Sequence, residues 1–104
     1  MRRSDEMTMP EKVIVSGVEY QVKEVDLVVV GDSTSYIGSC DYMSSEIQVI
    51  KGLTKTRKEQ TLVHEILHAC FHEAGFNEQD EDVVNRVGIV LYQVLKDNDL
   101  NFSR

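Results

Sequence analysis

The apolar residues of this 104-residue chain keep two different periods, and the change falls at Gly52. Before it, apolar and polar side chains alternate, in "VIVSGVEYQVKEV" from Val13 and in "EIQVI" from Glu46. A period of two suits strands with one face on a core. After Gly52, apolar residues recur every three or four positions, as on helices. Strands first and helices after predict an α+β fold: a small antiparallel sheet of three to five strands, then two packed helices. The length suits one domain. We expect a flexible N-terminal arm over residues 1–11 and a single folded domain over 12–104.

Local signals place the elements. Ser16-Gly17, between two alternating runs, reads as a tight hairpin turn. "LVVV" at 27–30 extends the apolar pattern, and "GDSTS" at 31–35 reads as a loop. "YIGSC" at 36–40 and "EIQVI" at 46–50 predict two more strands around a turn at Asp41–Ser45. Thr54 or Thr56 can cap the first helix, and Thr56 with Glu59 has capping-box spacing. That helix should end near Ala74, with Gly75 as its left-handed stop. The second should run from about Glu78 to Asp97, capped by Asn77, with an acidic first turn that suits the helix dipole.

All three histidines lie on the first helix, at 64, 68 and 72, and the first pair frames a glutamate as H-E-x-x-H. On a wheel of about 100° per residue, His64, Thr61, His68, His72 and Glu65 fall within about 100° of one another. Leu62, Val63, Ile66, Leu67, Ala69, Cys70 and Ala74 occupy the opposite arc, which anchors the helix in a core. Histidines four residues apart sit one turn from each other, so two imidazoles can converge on one ion such as Zn2+. Glu65 lies off that axis, where a carboxylate can take a proton from water beside the ion. His64 and His68 are therefore candidate metal ligands and Glu65 the candidate catalytic base.

A catalytic zinc usually takes three protein ligands. His72 is eight residues from His64, about 12 Å along a straight helix, too far to share one ion. If the two helices pair antiparallel through Gly75-Phe76-Asn77, the first turn of the second helix returns beside the histidines. Glu78, Asp80, Glu81 and Asp82 are the acids available there. Glu81 shares a side with Val84 and Gly88, on the face expected to bury Val84, Val87 and Leu91. Glu78 is the second choice. Gly88 makes sense if it lets the helices approach closely.

"TLVHEILH" resembles the active-site helix of the ImmA/IrrE-type, gluzincin-like zinc metallopeptidases of phages and mobile elements. In that family a second helix of the form E-x-x-A-N supplies the third ligand. Here "EDVVN", Glu81 to Asn85, matches that form with Val84 in place of alanine. The resemblance covers roughly residues 36–97, in a compact version of the pattern. It implies a zincin-like domain, Zn2+ held by His64, His68 and Glu81, and hydrolysis of peptide bonds in a protein or peptide substrate through water activated by Glu65. His72, Tyr42 and Tyr92 are candidate donors to the developing oxyanion, and the "EIQVI" strand is a candidate edge for pairing with extended substrate. The alternative is a non-catalytic zinc-binding interaction module of phage or mobile-element origin. Glu65 argues against it, since a purely structural zinc needs no base.

Composition narrows the partners. A formal charge of −7 disfavours nucleic acid, whose phosphates need lysine and arginine. No run approaches the roughly 18 apolar residues of a membrane span. The polar N-terminus has no apolar signal core, so the cytoplasm is the expected location. Cys40 and Cys70 are expected reduced, with Cys70 buried on the apolar side of its helix.

Overall fold

The computed structural model describes residues 9–100 and residue 102. Four strands precede two helices: β1 (Lys12–Val15), β2 (Val18–Val25), β3 (Gly38–Asp41), β4 (Glu46–Ile50), α1 (Lys55–Glu73) and α2 (Glu81–Asp97). The class is α+β, as the change of period predicts. Residues 1–8 of the expected arm lie outside the described residues. Of the rest, Met9 packs against the core, and the Glu11 carbonyl accepts from Val22 N at 2.9 Å.

The strands form one sheet in the order β1-β2-β4-β3. β1 and β2 join through Ser16 (φ 51°) and Gly17 (φ 83°), the two left-handed positions of a tight hairpin turn. β3 and β4 form a second hairpin, whose turn is held by the Asp41 carboxylate accepting from Met43 N and Ser44 N. The central pair departs from the antiparallel sheet expected: β2 and β4 run parallel, from Gln21↔Glu46 to Val25↔Ile50. Burial accounts for this. In β4, Ile47 and Val49 are fully buried and Glu46, Gln48 and Ile50 are half-buried, so the strand suits a position covered on both sides. β3 reads Gly-Ser-Cys-Asp and suits an edge. The edge strand beside α1 is therefore β3, not the "EIQVI" strand. "LVVV" is not a strand: Val28 is buried, while Leu27, Val29 and Val30 are exposed and Val30 only bridges Ser33.

α1 lies across one face of the sheet and closes a core of Tyr20, Val15, Val22, Ile47, Val49, Leu62 and Ala69. Each large apolar side chain buried there stabilises the fold by about 1.5–3 kcal/mol. Two polar ties pin opposite ends of α1 to β2. Lys58 Nζ donates to Glu24 at 2.6 Å, and Tyr20 OH donates to Glu73 at 2.6 Å. Thr54 caps α1, its hydroxyl accepting from Arg57 N. Glu59 closes no capping box, because it accepts from Tyr92 and Lys96 instead. Gly75, at φ 98°, follows the helix end as expected. Cys70 is exposed rather than buried, since Ala69 is the last buried residue of α1.

α2 begins at Glu81, three residues later than expected, and its cap is Asp80 rather than Asn77. The Asp80 carboxylate accepts from Asp82 N at 2.9 Å, while residues 75–80 reverse the chain. Among the described residues α2 packs on α1 alone, so its buried stripe is narrow: Val84, Gly88 and Tyr92. Val87, expected inside, is 46% exposed for that reason. Gly88 faces α1, where a Cβ would meet His64 Cα at 3.8 Å, an ordinary contact distance. No helix among the described residues is long and apolar enough to cross a membrane.

Candidate metal centre

The antiparallel return of α2 brings Glu81 to the two histidines. Its carboxylate lies 3.0 Å from His64 Nε2 through Oε2 and 3.1 Å from His68 Nε2 through Oε1. The two Nε2 atoms are 3.2 Å apart. Four tetrahedral donors about 2.0–2.1 Å from an ion stand about 3.4 Å from one another. Taking one donor atom from each residue, the three lie within 4.8 Å of one another, close enough to share one ion. His64, His68 and Glu81 are thus the group that could hold a metal, and they are the three residues the sequence singled out.

The rest of the acidic run is divided among other tasks. Asp80 caps α2, Asp82 pairs with Arg86 at 3.6 Å, and Glu78 precedes the helix and is exposed. His72 stays outside the ligand group, on the surface, with its ring stacked on Tyr42 at 4.1 Å between centroids.

Sequence reading missed Gln79. Its Nε2 donates to Tyr42 OH at 2.8 Å and to the His68 carbonyl at 3.3 Å. That orientation turns Oε1 toward His68 Nδ1, 2.7 Å away. Gln79 Oε1 can only accept, so His68 carries its proton on Nδ1 and presents a bare Nε2 to the Glu81 carboxylate. Nε2 is the ring atom a metal ion would take, and it faces the Glu81 carboxylate at 3.1 Å. An outer partner that fixes the tautomer of a ligating histidine is a recurrent feature of metal sites. The only signal for Gln79 was its position two residues before Glu81, and nothing local distinguishes it from the acids around it. Gln79→Ala is expected to weaken zinc binding about 10–100-fold, measured against a competing chelator, with the fold retained by circular dichroism.

Glu65 sits one residue from His64 on the core side of the stripe and is only 7% exposed. Burial, reinforced by the neighbouring Glu81 carboxylate, pushes its pKa up to about 8. Burial also holds the His64 imidazole below its ordinary value, against the opposing pull of Glu81. A neutral imidazole is the form that ligates. Cys40, the nearby thiol, is pushed up to about 12 by burial and by Glu65, so it stays protonated at neutral pH.

Gly38 on β3 makes room for the base. A Cβ there would stand 2.6 Å from Thr61 Cγ2 and 3.1 Å from Glu65 Oε2. Thr61 cannot easily yield, since it is buried and its hydroxyl donates to the Arg57 carbonyl at 2.7 Å. A glycine inside a strand signals such a close approach. Gly38→Ala is expected to cost about 1–3 kcal/mol of stability, read as a lower Tm, by crowding Thr61 and Glu65.

A cleft of about 520 Å³ opens over this group. β3 and the segment before it supply Tyr36, Ile37 and Gly38; α1 supplies Arg57, Gln60, Thr61, His64 and Glu65; α2 supplies Glu81, Asn85, Gly88 and Ile89. None of the expected oxyanion donors lines it. Tyr42 is engaged by Gln79 and His72, and Tyr92 by Glu59 and Lys96 near the start of α1. The amide donors that do line it are Asn85 and Gln60. Comparison with family models, curated proteins and solved structures returned no match to the chain.

Proposed function

We propose that this protein is a zinc-dependent metallopeptidase. The observation that carries the reading is the convergence of His64, His68 and Glu81 at 3.0–3.2 Å beside a buried Glu65, with His64, Glu65 and Glu81 lining an open cleft. Two imidazoles and one carboxylate form a donor set used by catalytic zinc, leaving a position for water. Iron(II) sites share that set. Titration with both metals is expected to rank zinc first.

The bound cation would acidify a water to a pKa near about 7 and polarise the scissile carbonyl. The protein supplies the rest. The Glu65 carboxylate takes a proton from the attacking water and returns it to the leaving amine. Its raised pKa owes part of its shift to the charge of Glu81, and neutralising that charge moves Glu65 toward the ionised form a base needs. Gln79 holds the His68 ring in its ligating tautomer. Asn85, one turn after Glu81, lines the cleft, and its amide would be the donor to the developing oxyanion.

β3 supports an extended substrate. It is an edge strand, and Ile37, Ser39 and Asp41 hold the hydrogen-bonded positions opposite β4. The N–H and C=O of Gly38 and Cys40 therefore face outward, where a peptide can pair with them. This reading accords with the resemblance to ImmA/IrrE-type peptidases. Two free cysteines suit the cytoplasm as its place of action. The test is to load the purified chain with zinc, incubate it with a mixed peptide library, and map products by mass spectrometry. Cleavage that disappears on chelation and returns with zinc supports the reading. Intact peptides at every zinc level would sink it.

A further inference from the structure

The cleft continues past the metal group toward the start of α1, and at its far end stands Arg57. Arg57 is seven residues before His64, so it shares the same helix face about 10.5 Å away along the axis. Lys58, Lys96 and Arg86 on the two helices are each held by a carboxylate, at 2.6, 3.5 and 3.6 Å. Among the described residues, the Arg57 guanidinium has no acidic partner. Of the described residues lining the cleft it is also the only lysine or arginine, in a chain with a formal charge of −7. Apolar side chains line part of the walls, Tyr36 and Ile37 from the segment before β3 and Ile89 from α2, exposed by 51%, 43% and 63%.

The direction of a bound chain follows from the strand. Gly38 faces Thr61 and Glu65, while Tyr42, just past β3, stacks on His72, so β3 and α1 advance the same way. A peptide pairing antiparallel with β3, the more stable arrangement, enters at the His72 end and leaves toward Arg57. At about 3.3 Å per residue, the axial separation of Arg57 from His64 matches about three residues beyond the scissile bond, on its C-terminal side.

We propose that Arg57, with Tyr36, Ile37 and Ile89, forms a subsite that selects a carboxylate about three residues C-terminal to the cleaved bond, with apolar residues between. The inference rests on the peptidase reading. A planar guanidinium binds carboxylate in a two-point fork, and that geometry is served equally by an acidic side chain and by a C-terminal carboxylate.

The experiment uses zinc-loaded protein and acetylated nonapeptides built around a bond cleaved in the library. One form has glutamate at the third position beyond the bond and an amidated C-terminus. A second has glutamine there and an amide. A third has glutamine and ends at that position in a free carboxylate. Wild-type kcat/KM is expected to favour an acidic form over the neutral one by tenfold or more. Kd for the zinc-loaded Glu65→Gln protein is expected to show the same preference. Arg57→Gln should bring both ratios to near one, and Arg57→Lys should restore part of them. A preference for the first form names the side chain as the source, and for the third the terminus. Cleavage with a ratio near one, or a ratio unchanged in Arg57→Gln, overturns the subsite and leaves the peptidase standing. Loss of all cleavage with the Kd preference intact overturns the peptidase and retains carboxylate recognition. Absence of both overturns both.

Discussion

Glu65→Gln is expected to retain bound zinc and to lose peptide cleavage by at least about 100-fold in kcat. The glutamine amide has nearly the shape of the carboxylate, so the crowded contact with Gly38 and Thr61 survives. What disappears is the capacity to accept a proton. Because Glu65 is outside the ligand group, zinc stoichiometry by mass spectrometry should remain one per chain. A variant that cleaved at the wild-type rate would remove Glu65 from the mechanism. The same substitution has a second signature in the metal-free protein. Burial raises Glu65 from an ordinary 4.5 to about 8 in the fold. The unfolded chain therefore releases that proton first as pH rises. The contribution of Glu65 to stability is complete below about pH 4.5 and fades as pH climbs through 8. Gln has no proton to lose, so the Tm of Glu65→Gln should gain on that of wild type between pH 5 and pH 9. Parallel Tm profiles would show that the carboxylate is not buried as described.

Glu81→Ala is expected to weaken zinc binding by more than about 100-fold, beyond the loss expected for an outer partner such as Gln79. Glu78→Ala and Asp82→Ala should stay within a few-fold of wild type. Glu78 lies before α2 and is exposed, and Asp82 faces Arg86. Glu81 is 61% exposed at its side chain and begins α2, so its removal leaves no buried gap. Its loss should therefore show in metal affinity and not in the folding of the metal-free chain. Competition with a chromophoric chelator gives the ranking directly. A larger loss for Glu78→Ala or Asp82→Ala would reassign the third ligand.

The sequence by itself determined the class of fold and the members of the metal group. Alternation up to Ile50 and a helical period after Gly52 are local properties, legible without neighbours. The spacing of His64, Glu65 and His68 is fixed by one helix, and a short turn leaves few acids able to reach them. Partner choice in the sheet was not legible. Whether β3 or β4 sits beside β2 depends on which strand carries the residues that α1 buries, and that exists only once α1 covers the sheet. The start of α2 slipped for a similar reason, since Asn77 and Asp80 are both residue types that cap helices and the chain reversal selects between them. Gln79, Gly38 and Arg57 acquire their roles from residues 11, 27 and 7 positions away along the chain. Only packing fixes where an amide, a missing Cβ or a guanidinium points, because a helix or strand specifies its own faces but not what another element brings against them.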